Sequence, residues 1–306
     1  MFRKLFLGIL LVSIIPGAFA LDNTWMGPTG TFSVYSARNL EAMDYAWSLY
    51  FANLDREWEY GSDEYISLDY TYYMFPIAFG ITDYLELSIA PNFLDIRRDP
   101  YMDDTDGFGD LYVNLKARLY GTEEWGVGAL LQGKVATADE DEGLGSGEED
   151  YGLSLLLTRE WEATRLHLNL GYRSVGEPDG AEFDDQFVWG VGLESDINER
   201  WIFLAELTGE TSYTEAEPND PMDLTAGFRY HCSFGGTFGG GLRYAFNMED
   251  YSCPVGGFVQ FGYSPSNKIE PTPTPIPTPP PVPDVACSAE DLTIVQITQE
   301  GMSEVR

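Results

Sequence analysis

The chain has 306 residues, with 50 acidic against 17 basic side chains and a formal net charge of -33. That excess of negative charge excludes nucleic acid and anionic lipid as partners held by bulk electrostatics. Mean hydropathy is -0.20. After residue 20 no apolar run approaches the roughly 20 residues of a helical membrane span, yet aromatics reach 14 %, which suits the girdles of a membrane β-barrel.

Residues 1–20 read as a secretory signal. Arg3 and Lys4 open it, an apolar stretch runs from Leu5 to Ile15, and Ala18-Phe19-Ala20 is a small-x-small cleavage site. Cleavage after Ala20 leaves Leu21 as the first mature residue, with no cysteine close behind it for a lipid anchor. Residues 21–42 are expected to be an N-terminal periplasmic segment leading into a barrel.

From 43 to 264, segments of about ten residues with period-two alternation take turns with segments rich in Gly, Asp, Glu, Pro and Ser. In 164–173, Leu166, Leu168, Leu170 and Tyr172 share one face, and Arg165, His167, Asn169 and Arg173 the other. The stretches 110–119 and 222–230 repeat the pattern. Strands are expected at 43–54, 70–80, 82–91, 110–120, 125–137, 151–159, 163–174, 185–195, 200–210, 222–231, 236–246 and 255–264. The fold class is therefore all-β: a transmembrane antiparallel up-and-down barrel of about twelve strands, an even number as such barrels require. Connections at 80–82, 121–124, 160–162, 195–199 and 232–235 are short. Those at 55–69, 92–109, 138–150, 174–184, 211–221 and 247–254 are long. This sorting predicts periplasmic turns, extracellular loops, and both barrel ends in the periplasm. It argues against a soluble sandwich.

The last strand closes on Phe258-Val259-Gln260-Phe261-Gly262-Tyr263. It resembles the C-terminal signal by which the barrel-assembly machinery recognises outer-membrane barrels. A Pro-rich linker, 265–284, follows. Pro271 to Asp284 reads PTPTPIPTPPPVPD, which imposes extended polyproline II. The tail 285–306 is too short for an independent domain; linker and tail could tether a periplasmic partner.

On the alternation, Glu86, Lys116, Arg118, Lys134, Arg165, His167, Arg173, Glu194, Glu206, Asp223, Arg229 and Arg243 face the lumen. Two arrangements fit them: a cation-lined pore with acidic constriction residues, or a salt-bridged network that fills and seals the barrel. The acidic loops include Asp103, Asp104 and Asp106. These suit loosely bound Ca²⁺ bridging anionic lipopolysaccharide in the surrounding outer-membrane lipid, or simple solvation. No tightly bound cofactor is expected. Neither His167 nor His231 has a neighbouring nucleophile for acyl transfer, so no enzymatic activity is expected. Of the three cysteines, Cys232 and Cys253 sit at opposite ends of a strand of about ten residues, roughly 30 Å apart, too far for a disulfide. Cys232 with Cys287 is geometrically open, as are three free thiols.

Gly107-Phe108-Gly109-Asp110-Leu111 running into Asn114-Leu115-Lys116-Ala117-Arg118-Leu119, the hairpin Phe79 to Leu87, and Gly143 to Leu157 resemble an outer-membrane family labelled transporter or phenol-degradation (MetA-pathway) porin-like. Gly27-Pro28-Thr29-Gly30 and Ser36-Ala37-Arg38-Asn39-Leu40 resemble the opening segment of related barrels carrying OmpA-type periplasmic domains, which a Pro-rich linker also fits. The tail lacks the hundred or so residues that such a domain needs. The resemblance implies passive passage of a small solute, aromatic or otherwise hydrophobic. The alternative is a closed structural barrel with acidic loops and a periplasmic tether.

Overall fold

The computed structural model describes residues 21–59, 65–99, 103–178, 183–211, 220–246 and 255–267. The strands are β1 (Tyr45–Glu59), β2 (Tyr65–Met74), β3 (Ile77–Thr82), β4 (Leu85–Ala90), β5 (Asn92–Asp99), β6 (Thr105–Phe108), β7 (Leu111–Gly121), β8 (Trp125–Val135), β9 (Asp150–Trp161), β10 (Thr164–Ser174), β11 (Gln186–Asp196), β12 (Trp201–Glu210), β13 (Met222–His231), β14 (Gly236–Phe246) and β15 (Val255–Tyr263). They form one antiparallel sheet. It closes on itself because β1 pairs β15, from Trp47↔Tyr263 to Asn53↔Gly257.

Three interruptions lie side by side: Phe75-Pro76 between β2 and β3, Pro91 between β4 and β5, and Gly109-Asp110 between β6 and β7. Proline has no N–H to give the ladder, but its carbonyl still accepts. The N–H of Ser48 donates to Pro76 O at 3.0 Å, that of Phe75 to Pro91 O at 2.9 Å, and that of Gly109 to Asn92 O at 3.1 Å. Each pair of segments thus continues one line of chain, and the barrel has twelve strands. An even number is what lets the first and last strands of a meander meet antiparallel.

The expected strands recur with one systematic difference. The first four run further than expected: β1 reaches Glu59, β2 starts at Tyr65, β5 reaches Asp99 and β6 starts at Thr105. The segments 55–69 and 92–109, expected as long loops, are therefore mostly hairpin. Backbone pairing continues there, from Asp55↔Asp69 to Glu59↔Tyr65 and from Ser67↔Asp99, although apolar alternation is absent. A ladder needs alternation only where one face meets lipid.

The barrel is inside-out relative to a soluble fold. In β10, Arg165, His167 and Asn169 are buried, while Leu166, Leu170 and Tyr172 are exposed. The same holds for exposed Leu153 and Leu155 in β9, and Phe228 and Leu224 in β13. A continuous apolar exterior of this kind is stable only against a lipid or protein partner. At the short-turn end aromatics gather as an interface girdle. Arg159 lies between Trp125 and Trp161, 4.5 and 5.6 Å from the ring centroids, and Trp201 meets Tyr230 at 5.0 Å.

Residues 21–42, expected as a periplasmic segment leading into the barrel, fold back inside it. Asn23, Thr24, Thr29, Thr31, Phe32, Val34, Ala37 and Leu40 are all buried. The segment starts at the short-turn end, where Leu21 N–H donates to Asn267 Oδ1 at 3.0 Å. It reaches mid-lumen, where Asn114 Nδ2 donates to Met26 O at 2.9 Å. It returns to the short turns, where Ala42 N–H donates to Asp83 Oδ1 at 2.9 Å. The physical reason is polar satisfaction. Internally it is ordered by two isolated bridges, Asn23↔Thr29 and Gly30↔Tyr35, and by short-range backbone bonds such as Trp25 N–H to Phe32 O at 3.0 Å. Its remaining amides need partners, and inward-facing carboxylates and amides of the wall supply them.

Candidate functional site: the plugged lumen and the cavity above it

Two wall carboxylates grip the plug. Glu86 on β4 accepts from Thr29 N–H at 2.9 Å, Thr29 Oγ1 at 2.8 Å and Leu40 N–H at 3.1 Å, and pairs with Lys116 Nζ at 3.1 Å. Glu206 on β12 accepts from Ser33 N–H at 2.9 Å, Val34 N–H at 3.2 Å and the Thr31 hydroxyl. Hydrogen bonds to a charged acceptor contribute roughly 1.5–3 kcal/mol each, so these two side chains fix the middle of the plug. Asn169 supplies the neutral version: its Oδ1 accepts from Tyr35 N–H at 2.7 Å and its Nδ2 donates to Tyr35 O at 2.8 Å.

Arg229 on β13 is the hub. Its guanidinium donates to three plug carbonyls, Thr31 O at 2.6 Å, Gly30 O at 2.9 Å and Asn23 O at 3.2 Å, and also to Gln260 Oε1 on β15 at 2.9 Å. Phe32 lies under it, 4.9 Å from centroid to guanidinium carbon, and stacks edge-on to Phe258 at 4.5 Å. Asp22 Oδ2 and Glu194 Oε1 flank it at 3.8 and 3.9 Å. Asp22 also meets His231 Nε2 at 2.7 Å and accepts from Thr237 Oγ1 at 2.8 Å and Asn267 Nδ2 at 2.7 Å. Burial alone would raise the Asp22 carboxyl, but His231 and Arg229 beside it outweigh burial and hold its pKa at about 2.

The charged chain continues along the wall. Arg165 bonds Glu194 at 2.5 Å and Asp196 at 2.7 Å. His167 Nδ1 shares a 2.9 Å hydrogen bond with Thr158 Oγ1, which accepts from Ala37 N–H of the plug at 2.9 Å. Arg38 of the plug pairs with Glu160 and donates to Thr122 O at 2.7 Å. Glycines make the seat. A Cβ at Gly192 would stand 3.1 Å from Val34 Cβ, and one at Gly190 3.0 Å from Val34 Cγ2.

Above the plug, towards the long loops, is a cavity of about 560 Å³, within the usual size of small-molecule sites. Plug residues Trp25, Met26 and Tyr35 form its floor, with Tyr72, Met74 and Tyr112 on the wall. The 136–149 loop folds in over one side, where Leu144 packs on Leu94 and Ile96. Three ion pairs ring the cavity. Lys134 lies 3.0 Å from Asp150 and 3.9 Å from Asp110, Arg173 3.2 Å from Glu210, and Arg243 makes a two-pronged contact with Asp223 at 2.5 and 2.7 Å.

The twelve candidate lumen residues divide by depth. Glu86, Lys116, Arg165, His167, Glu194, Glu206 and Arg229 are buried around the plug. Lys134, Arg173, Asp223 and Arg243 line the cavity. Arg118 sits at the short-turn rim, its guanidinium 5.1 Å from the Tyr84 ring. The acidic loop residues are not gathered. Asp104 Oδ1 accepts from Arg98 N–H at 2.9 Å, Asp106 pairs across the ladder with Asp95, and the described residues contain no group of three or more His, Cys, Asp or Glu placed to hold a metal. Asp103 is exposed beside them. Cys232 is half-buried and forms no disulfide among the described residues. Cys253 and Cys287 lie outside the described residues, as do the signal segment and the Pro-rich linker. Asp22, Thr29, Thr31, Trp25 and Tyr35 were missing from the sequence-based set. The clue available was the run of Thr, Ser, Asn and Gly from 23 to 36 without a strand period.

Comparisons place this architecture. An outer membrane channel from Pseudomonas putida F1 superposes with a TM-score of 0.63 at 12 % identity, over 74 % of this chain and 97 % of that one. The NanC porin superposes with a TM-score of 0.51 at 12 % identity, over 72 % of this chain and 98 % of that one. At such identity the likeness is one of fold, an outer-membrane β-barrel. No curated protein matches the sequence. The family model described as "Putative MetA-pathway of phenol degradation" matches residues 54–252, well over half of the chain, and the chain belongs to that family.

Proposed function

We propose that the protein is a passive outer-membrane channel or transporter for a small solute, aromatic or otherwise hydrophobic, with the short turns and both barrel ends on the periplasmic side. The observation that carries this reading is the cavity of about 560 Å³ under the long loops, stopped by a plug that is docked non-covalently against the wall, with Trp25 at its upper surface. The solute waits above the plug, and passage requires the plug to shift. Lipopolysaccharide surrounds the barrel, the assembly machinery inserts it, and the Pro-rich tail tethers a periplasmic partner. The family description and the channel-like fold support the same reading.

The density of buried bonds around residues 21–40 favours a second reading, a permanently closed structural barrel. Planar-bilayer recording of the intact protein beside a variant with a loosened plug, Arg229→Met, separates them. A channel gives small or rare steps when intact and stable, larger steps when loosened. Silence from a correctly folded, loosened barrel would reject the channel.

A further inference from the structure

The cavity ring contains three cations and four carboxylates from eight consecutive strands around one side of the barrel, Asp110 before β7 through Arg243 on β14, with Gln186 of β11 the uncharged position among them. None of these cations faces the cavity with its charge unmatched. Arg243 is held by both oxygens of Asp223, Arg173 by Glu210 and Gln186, and Lys134 by Asp150 and by Ser146 Oγ at 2.7 Å. The fourth carboxylate, Asp110, is satisfied by Thr137 and Ala138 N–H at 3.1 Å each. Below the ring the surface turns aromatic and apolar, with Trp25, Tyr72, Tyr112 and Met74.

Resting on the channel reading, we propose that this ring of paired charges is a specificity filter: the cavity takes a small aromatic solute with an uncharged polar head and excludes carboxylate and ammonium analogues of the same size. A carboxylate reaching Arg243 must displace Asp223, which then stays partly buried without a cation. An ammonium reaching Asp223 strands Arg243 in the same way. An uncharged hydroxyl leaves every pair intact and still finds Tyr112, Thr208 and Thr225 hydroxyls in the lining. The charge count of the chain, -33 overall, would suggest preference for cations. The local pairing cuts this to one net negative charge in the ring, and its extra carboxylate, Asp110, already accepts two backbone N–H bonds.

The test uses the full-length protein in nanodiscs at neutral pH, with empty nanodiscs as the control for partition into lipid. Three para-fluorinated probes of one size, 2-phenylethanol, phenylacetate and 2-phenylethylammonium, are titrated and followed by ¹⁹F NMR. The alcohol is expected to bind about tenfold or more tighter than either ion, the scale of one lost ion pair. Asp223→Asn, which leaves Arg243 unmatched, raises carboxylate affinity. Arg243→Gln raises ammonium affinity. The exchanged pair, Asp223→Arg with Arg243→Asp, restores the preference for the alcohol and guards against misfolding of the single variants. Equal binding of all three probes, or a ranking unmoved by the single variants, overturns the filter while leaving solute binding in place. Absence of binding by every probe overturns the filter and the solute-cavity reading together.

Discussion

Replacing Arg229 by methionine removes the guanidinium while keeping most of the side-chain volume. The plug carbonyls of Gly30 and Thr31 lose their donor, as does Gln260 Oε1, while Asn23 O keeps only the Tyr50 hydroxyl at 2.6 Å. Asp22 and Glu194 each lose a cation within 4 Å, Glu194 keeping Arg165 at 2.5 Å. Taking one partner out of such a buried charged network costs about 3–5 kcal/mol. Arg229 contacts the plug through its backbone and the wall through Tyr50 and Gln260, so the cost falls mainly on plug docking. The barrel ladder keeps all its bonds. The undocked population should rise by roughly a hundredfold to a few thousandfold. Hydrogen exchange followed by mass spectrometry reads this directly, because the amides of Ser33, Tyr35, Ala37 and Leu40 are hydrogen-bonded to wall side chains. Their protection should collapse while β10 amides stay slow. Plug amides as protected in the variant as in the wild type would refute the reasoning and assign the seal to the apolar contacts of Phe32, Val34 and Leu40 instead. Joint loss of protection in plug and β10 would show that the plug and wall unfold as one unit.

Two further predictions follow from the seat and from the plug's first turn. Gly192→Val places a branched side chain where Val34 Cβ would lie 3.1 Å from the new Cβ. The expected result is a displaced plug in an intact barrel, seen as gained bilayer conductance with unchanged heat-modifiable gel migration. An electrically silent, folded variant would contradict the close-packed seat. The Asp22 carboxyl is depressed on folding, so its stabilising contribution is complete above the ordinary value of 3.8 and is lost as pH falls towards about 2. The Asn267 side-chain amide, which donates to Asp22 Oδ1 at 2.7 Å, should report this in an NMR titration with a midpoint well below 3.8. A midpoint at or above that value would remove the charged clasp.

The wall of this protein was legible from its sequence, and the reason is local. Period-two alternation in 164–173 follows from lipid on one side of a strand, whatever the other strands do. The inward set, from Glu86 to Arg243, followed from the same parity. The extension of β1, β2, β5 and β6 beyond the alternating segments was not legible, because pairing outside the lipid belt leaves no apolar mark. The plug was hidden for a different reason. Its order comes from partners far along the chain: Thr29 with Glu86 across 57 residues, Ser33 with Glu206 across 173, and Asp22 with His231 across 209. Side chains of the wall and short internal turns, rather than a ladder, satisfy its amides, so no period appears in 21–44. Sequence alone determined a twelve-stranded barrel with charges turned inward. Only the tertiary structure decided that those charges are spent on one another and on the plug, because pairing depends on register and depth between strands, which no single segment encodes.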